Sequence, residues 1–247
     1  MTTRRLLLYA VFGATVFVAV LLATFPAPWV ARAVEMASER KLVLRAPSGT
    51  AWQGSGQLYA RQRSGALVDL GPVRWTASPA TLLGGKLGGE LTVADKTMQV
   101  EASPSSVTVR RLDVQFPGAL LAGFAPELAA VGADGVVRVR SDSLRLESDS
   151  LLGLAEIEWR GLRLARAQDL DLGSHVARLR GGGAKVDIEL ASLDGPLKLT
   201  GGGNWTRSAG LVVSGSAEAR AANVAPFLRS VCAEYRDSRC NFRYSSS

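Results

Sequence analysis

The chain has 247 residues, 47% of them hydrophobic and 21% charged, a balance that excludes broad disorder. Its net charge is +7. The arginines stand singly at alternating positions, as in Val137-Arg138-Val139-Arg140 and Leu162-Arg163-Leu164. That is the pattern of a solvated strand face, not the concentrated basic patch of a nucleic-acid binder, so no nucleic-acid partner is expected. The 26 glycines, among many Thr, Val and Leu, favour strands and tight turns.

In chain order, residues 1–5 form a basic stub carrying Arg4 and Arg5, followed by Leu6 to Phe25, 20 residues without a charge. At 1.5 Å per residue this run spans about 30 Å, the hydrocarbon thickness of a bilayer. The reading is a single transmembrane helix with a cytoplasmic N-terminus and everything after Phe25 exported. Pro26 and Pro28 end the helix, and Trp29 suits the outer interface. The rival is a cleaved signal peptide, because Ala31-Arg32-Ala33 has the small-x-small form of a cleavage site. Against it, a signal core is about 7–15 residues long and this run is longer. Either way the body lies outside the cytoplasm, and the inner membrane is the expected partner surface.

Residues 26–40 read as a short helical, juxtamembrane stalk. From Lys41 the period becomes two. Residues 41–116 form a first β unit, in which Ser106 to Phe116 is a long strand whose apolar phase slips at Arg110-Arg111, as at a bulge. Residues 117–131, with the apolar run Gly118 to Ala130, connect to a second unit at 132–222. There Val137 and Val139 alternate with arginines. The phase resets after Ser141-Asp142-Ser143, as in a hairpin, and Leu144 and Leu146 take over. Val186, Ile188 and Leu190 alternate with Lys185, Asp187 and Glu189, and Leu211, Val213, Ala217 and Ala219 close the series. Residues 223–247 hold a final helix, with Asn223 as its cap and its end near Ala233, and a tail. The fold class expected is mainly β: antiparallel, glycine-rich strands with one apolar and one wet face behind a single N-terminal membrane helix.

Gly49…Trp52…Leu70-Gly71…Trp75 aligns with Gly132…Val136…Leu152-Gly153…Trp159 at offsets of 82 to 84 residues. The alignment suggests two similar β units forming one curved sheet or a sandwich, although common β residues also align by chance.

Three features resemble protein N of the bacterial type II secretion system: the basic stub with its single anchor, the segment Gly49-Thr50-Ala51-Trp52-Gln53-Gly54, and the segment Leu70-Gly71-Pro72-Val73-Arg74-Trp75 continuing to Ser78-Pro79 and Leu82-Leu83. They look like the family's Gly-Thr-x-Trp-x-Gly and Leu-Gly-x-x-x-Trp signatures. The similarity is best over residues 1–95; residues 130–220 share only a glycine-rich strand style, and the tail from Val231 is unmatched. The resemblance implies an accessory part of the type II secretion machinery in the inner membrane, projecting into the periplasm, with the inner-membrane platform or the outer-membrane secretin as partners. From the residues themselves, Trp52 and Trp75 should fill the core of the first unit. Gly49, Gly54 and Gly56 should supply positive φ or close backbone approach. Pro79, Leu82 and Leu83 should mark a turn packed onto the sheet.

Catalytic, cofactor and metal residues are not found in the sequence, and no small-molecule substrate is expected. A His-dependent triad would need His175, the only histidine, which reads as a satisfied surface residue. Gly181-Gly182-Gly183 lacks the Lys-Ser/Thr of a phosphate loop. Asp169 and Asp171 share one solvated face. Cys232 and Cys240 enclose seven residues and read as a disulfide in an oxidising compartment or as two free thiols. The leading function is a scaffold or coupling element in export of folded proteins. The alternative is a periplasmic lipid- or hydrophobic-ligand-handling β module anchored in the inner membrane, since a long sheet with one apolar face can form a trough.

Overall fold

The computed structural model describes residues 20, 24–62, 65–122, 130–232 and 234–246. The anchor run lies outside them except for Val20, Thr24 and Phe25. No helix among the described residues is long and apolar enough to cross a membrane.

A helix α1 (Pro28–Ala37) precedes the strands β1 (Leu42–Gly49), β2 (Gln53–Arg61), β3 (Leu67–Ser78), β4 (Leu87–Val93), β5 (Lys96–Ala102) and β6 (Ser106–Pro117). A single helical turn α2 (Ala119–Ala122) follows, then β7 (Ala133–Glu147), β8 (Ser150–Leu164), β9 (Leu170–Gly183), β10 (Lys185–Asp194), β11 (Leu197–Thr206) and β12 (Gly210–Ala219). Helix α3 (Ala225–Val231) and strands β13 (Tyr235–Arg236) and β14 (Arg239–Ser246) complete the chain. All strands belong to one open antiparallel sheet in sequence order, except that β14 lies between β12 and β13. Of the two arrangements left open by the sequence, the sandwich is not adopted. β6 pairs directly with β7 from Pro117↔Val136 to Ser106↔Glu147, so the two halves share one ladder. Only Ala119–Ala122 of the connecting run forms a described helix before the undescribed residues 123–129.

The alternation in the sequence becomes two chemically opposite faces, because side chains directly across a ladder share a face. One row reads Val139, Ile157, Ala177, Leu190, Gly201, Gly215 and Phe242 from β7 to β14. The next row, on the other face, reads Asp113, Arg140, Glu156, Arg178 and Glu189 from β6 to β10. Charges therefore alternate in sign across the strands. Arg178 meets Glu156 at 3.2 Å, Arg138 grips Asp113 through both carboxylate oxygens at 2.7 and 2.6 Å, and Glu158 lies between Arg140 (2.9 Å) and Arg160 (2.8 Å). The Arg138 guanidinium holds the Asp113 carboxyl below its usual range.

Two cores lie on the apolar face. Ala27, Leu44, Val73 and Trp75 form one, with Val30 and Ala31 of α1 packed against it. The other joins Leu164, Leu170, Leu172, Leu197, Ala217 and Cys240 to Val224 and Leu228, the residues through which α3 covers the sheet. Cys232, just after α3, is disulfide-bonded to Cys240 on β14.

Several expectations are corrected. Ser141-Asp142-Ser143 is not a hairpin. β7 continues through it, and its register on β8 jumps between Arg140↔Glu156 and Leu144↔Gly153, leaving one extra residue on β7. A bulge and a tight turn both shift the apolar phase by one, so the sequence alone did not separate them. Arg111, opposite on β6, has φ 57° and is skipped between Arg110↔Ser143 and Leu112↔Ser141. The N-cap of α3 is Val224, not Asn223, and no side chain caps it. Burial drives this terminus, since Val224 is fully buried.

His175 is buried at 8% exposure on β9, where a surface position was expected. Its neighbours satisfy it. Nε2–H donates to the Leu172 carbonyl (3.1 Å), and Nδ1 accepts from the Ser192 hydroxyl (3.0 Å), which in turn accepts from the Leu199 N–H (2.6 Å). That tautomer is neutral, and burial pushes the imidazole pKa down against weaker upward pulls from the Leu172 carbonyl and Asp194. Below the ordinary histidine pKa of about 6.5 the unfolded chain binds a proton that the folded chain refuses, so stability falls with pH there. The melting temperature of the full chain should therefore hold above about pH 7 and drop as pH falls below 6.5. His175→Gln should lower it at every pH while flattening that part of the profile; an unchanged slope in the variant would refute the assignment.

Candidate functional site: the corner that receives the N-terminal segment

The residues 49–54 and 75 meet at one corner of the sheet. Gly49 ends β1 with φ 90°, a conformation that favours glycine. Thr50 then organises the turn into β2, its hydroxyl accepting the N–H groups of Trp52 (3.2 Å) and Gln53 (3.2 Å). Trp75 crosses from β3 and donates its indole N–H to the Thr50 carbonyl at 3.2 Å. Its ring lies over Gly54, the residue directly opposite on β2, where any added Cβ would overlap the six-membered ring. Trp75 is 9% exposed. Trp52 is only half-buried, so the expectation that both rings fill the core holds for Trp75 alone; the Trp52 carbonyl accepts the Ala77 N–H (2.6 Å).

This corner grips the chain that precedes it. The Ala27 N–H donates to the Gly49 carbonyl (3.2 Å), the Ala51 N–H donates to the Phe25 carbonyl (2.7 Å), and Pro26 bridges Thr50. Ala27 is fully buried beside Trp75. The segment 26–40, expected as a stalk, thus runs back along β1. Ala27 sits at the end of β1, and the Ser38 hydroxyl accepts the N–H of Leu42 at its start (3.0 Å).

The other motif residues sit apart from the clamp. The Gly71 N–H donates to Asp69 Oδ1 (2.8 Å), and Leu70 is bulged out between Leu58↔Gly71 and Tyr59↔Asp69. Pro79–Gly84 forms a 3-10 helix in which Leu82 points outward at 49% exposure, where packing onto the sheet was expected. The Leu83 side chain lies outside the described residues. A second brace escaped the sequence reading as a contact: Trp159 donates its indole N–H to the Asp134 carbonyl (3.0 Å), reaching back 25 residues as Trp75 does, with Gly118 and Gly135 against its ring. The sequence offset that aligns Trp159 with Trp75 was its only signal. An open depression of about 1050 Å³ spans β6 to β10, lined by Arg140, Glu156 and Arg178 of the charged row together with Leu112, Ala155 and Ile188 of the apolar face, and Leu154 is exposed at it. Among the described residues no three His, Cys, Asp or Glu side chains gather as a metal ion requires.

A family model described as type II secretion system (T2SS), protein N, matches residues 40–231. The match begins before β1 and ends with α3. It extends across the second half of the sheet, where the sequence resemblance was one of style only, and leaves β13 and β14 outside it. No curated protein and no solved structure matches the chain significantly.

Trp75→Ala should destabilise the chain by about 3–5 kcal/mol, as for other buried aromatic truncations, whereas Trp52→Ala should cost clearly less. Gly54→Val should free the N-terminal segment, seen as faster tryptic cleavage at Arg32 and Arg40 of the detergent-solubilised chain. Cleavage at the wild-type rate would show that the corner does not hold that segment.

Proposed function

The chain belongs to the type II secretion system protein N family, and on that premise we propose that it is an accessory inner-membrane component whose periplasmic sheet acts as a scaffold or coupling element in export of folded proteins. The family is one of secretion components and not of enzymes; it works with the type II secretion machinery in the cell envelope. The observation that carries the finer reading is the clamp. Phe25, the last residue of the uncharged run, and Ala27 just beyond it are hydrogen-bonded to the sheet corner at Ala51 and Gly49. A body joined so closely to its anchor moves with it, which suits a part that links a membrane platform to something farther out. The self-neutralised charges of the opposite face form a broad polar surface of the kind a protein partner can meet reversibly.

The test is photocrosslinking in secreting cells, with a photoreactive residue placed at exposed positions Leu154 and Arg243. Adducts with the inner-membrane platform or the secretin are expected. Adducts with neither, in cells that secrete normally, would overturn the coupling role.

One observation favours a second reading, in which the sheet handles lipid. Leu87, Val107, Leu146, Trp205 and Tyr244 are large, exposed and, by the ladder registers, all on the apolar face. Helices α1 and α3 cover that face at its two ends. If acyl chains cover the remainder, the purified chain transferred to a lipid-free detergent and analysed by native mass spectrometry should retain phospholipid, and Val107→Glu with Leu146→Glu should lose it. Retention of none by the wild type removes this reading and leaves the first intact.

A further inference from the structure

Helix α1 presents a second apolar stripe, on the side away from the sheet. Its inner side carries Val30 and Ala31 against the first core. Its outer side carries Trp29, Arg32, Ala33 and Met36, spaced three, four and seven residues apart, which places them on one face. Trp29 is 52% exposed and Met36 is 74% exposed. The Trp29 ring stacks on Phe25 with centroids 5.8 Å apart, and the Arg32 guanidinium lies 5.5 Å above the Trp29 ring. Between Pro28 and Ala37 the one carboxylate, Glu35, is half-buried on the flank, and Arg40 follows the helix. Tryptophan and methionine flanked by arginines, with no acid on the same stripe, is the chemistry of a helix lying in a bilayer interface.

We propose that α1 lies flat on the outer leaflet of the membrane, with Trp29 and Met36 among the glycerol and upper acyl carbons and Arg32 at the phosphates. The inference rests on the reading of Leu6 to Phe25 as a retained anchor. The occupant is lipid because of where the uncharged run ends. Phe25 is its last residue, the Phe25 carbonyl is bonded to the sheet at Ala51, and the stripe starts within one helical turn of that point. Any surface covering Trp29 must fit beside the anchor's own exit, which the bilayer already occupies. The backbone bonds of Ala27 to Gly49 and of Leu42 to the Ser38 hydroxyl fix α1 along β1. The foot therefore sets the attitude of the sheet: β1 runs beside a helix that is parallel to the membrane plane.

A stalk and a foot predict different depths. Met36 lies seven residues beyond Trp29, about 10 Å along the helix axis. If α1 continued the anchor outward, Met36 would stand about 10 Å farther into water than Trp29. The experiment uses the full chain in nanodiscs of phosphatidylethanolamine and phosphatidylglycerol. Nitroxide labels go on Met36→Cys, Ala33→Cys and, as a water-exposed control, Leu154→Cys; the native cysteines are held as a disulfide. Relative accessibility to oxygen and to a nickel chelate reads depth. Quenching of Trp29 fluorescence by brominated lipids, taken as the difference from Trp29→Phe, provides a second measure that leaves the helix unlabelled. Labels at 33 and 36 at equal depth, shielded from nickel at least threefold relative to 154, together with Trp29 quenching, support the foot. A label at 36 as open to nickel as that at 154, in a chain that alkaline carbonate does not strip from membranes, overturns the foot alone. A chain stripped by carbonate overturns the anchor reading and the foot with it.

Discussion

A single sheet with one apolar face must keep every strand in phase, and this constraint governs the rest of the molecule. A one-residue slip anywhere would turn a strand's apolar set to the charged side. The ladders hold that phase from Leu42↔Ala60 on the first pair to Ala217↔Cys240 on β12 and β14. Where the apolar spacing breaks, an extra residue is looped out and the phase is restored. Leu70, Arg111 and the residue gained at Ser141–Ser143 all serve this way. Glycines such as Gly71 (φ 101°) and Gly173 (φ 86°) accept the backbone angles such bulges need, and in both an aspartate two residues earlier receives the glycine N–H at 2.8 Å.

An open sheet also has two edges and an uncovered face. The β1 edge is interrupted, since Pro47 cannot donate to a neighbour and the register jumps between Arg45 and Ser48. At the other end, β14 covers β12, and the short β13 covers only Cys240 and Arg239 of β14. The disulfide pins this last pair to α3, whose Val224 and Leu228 are buried over the second core. Burying a valine or leucine side chain contributes about 1.5–3 kcal/mol. Each helix thus stabilises the end of the sheet that would otherwise fray.

Much of this was legible in the sequence because period two is a strong signal. Val186-Asp187-Ile188-Glu189-Leu190 becomes β10 with the expected faces. The motif around Gly49 and Trp75 marked a corner, although its partner, the segment around Ala27, could not be read from spacing. The failures have physical causes. Ser141-Asp142-Ser143 is a bulge in turn-like composition. His175 follows a Gly-Ser pair that looks like a loop, and its burial depends on Ser192 and Leu172, which only the β9–β10 register brings to it. Asn223 was a better cap by type than Val224, but core packing outweighed a single capping bond of about 1 kcal/mol. Leu82, apolar and next to a turn, faces water because the 3-10 helix carries it away from the sheet.

Trp75 and Trp159 show how local braces stiffen a long meander. A sheet built only of neighbouring hairpins resists bending along its strands better than hinging between them, since each strand touches two others. The Trp75 indole, reaching past β2 to the backbone of a turn 25 residues earlier, crosses that weak direction, whereas the Trp159 indole adds one more tie between β8 and its paired neighbour β7. Trp75 ties β3 to the turn between β1 and β2, and Trp159 ties β8 to the start of β7. The first brace closes on Thr50, the residue that Pro26 bridges. A displacement of the segment at Phe25 is therefore passed to three strands at once and not to β1 alone. In the coupling role proposed above, rigidity at that corner matters more than any single side chain on the surface.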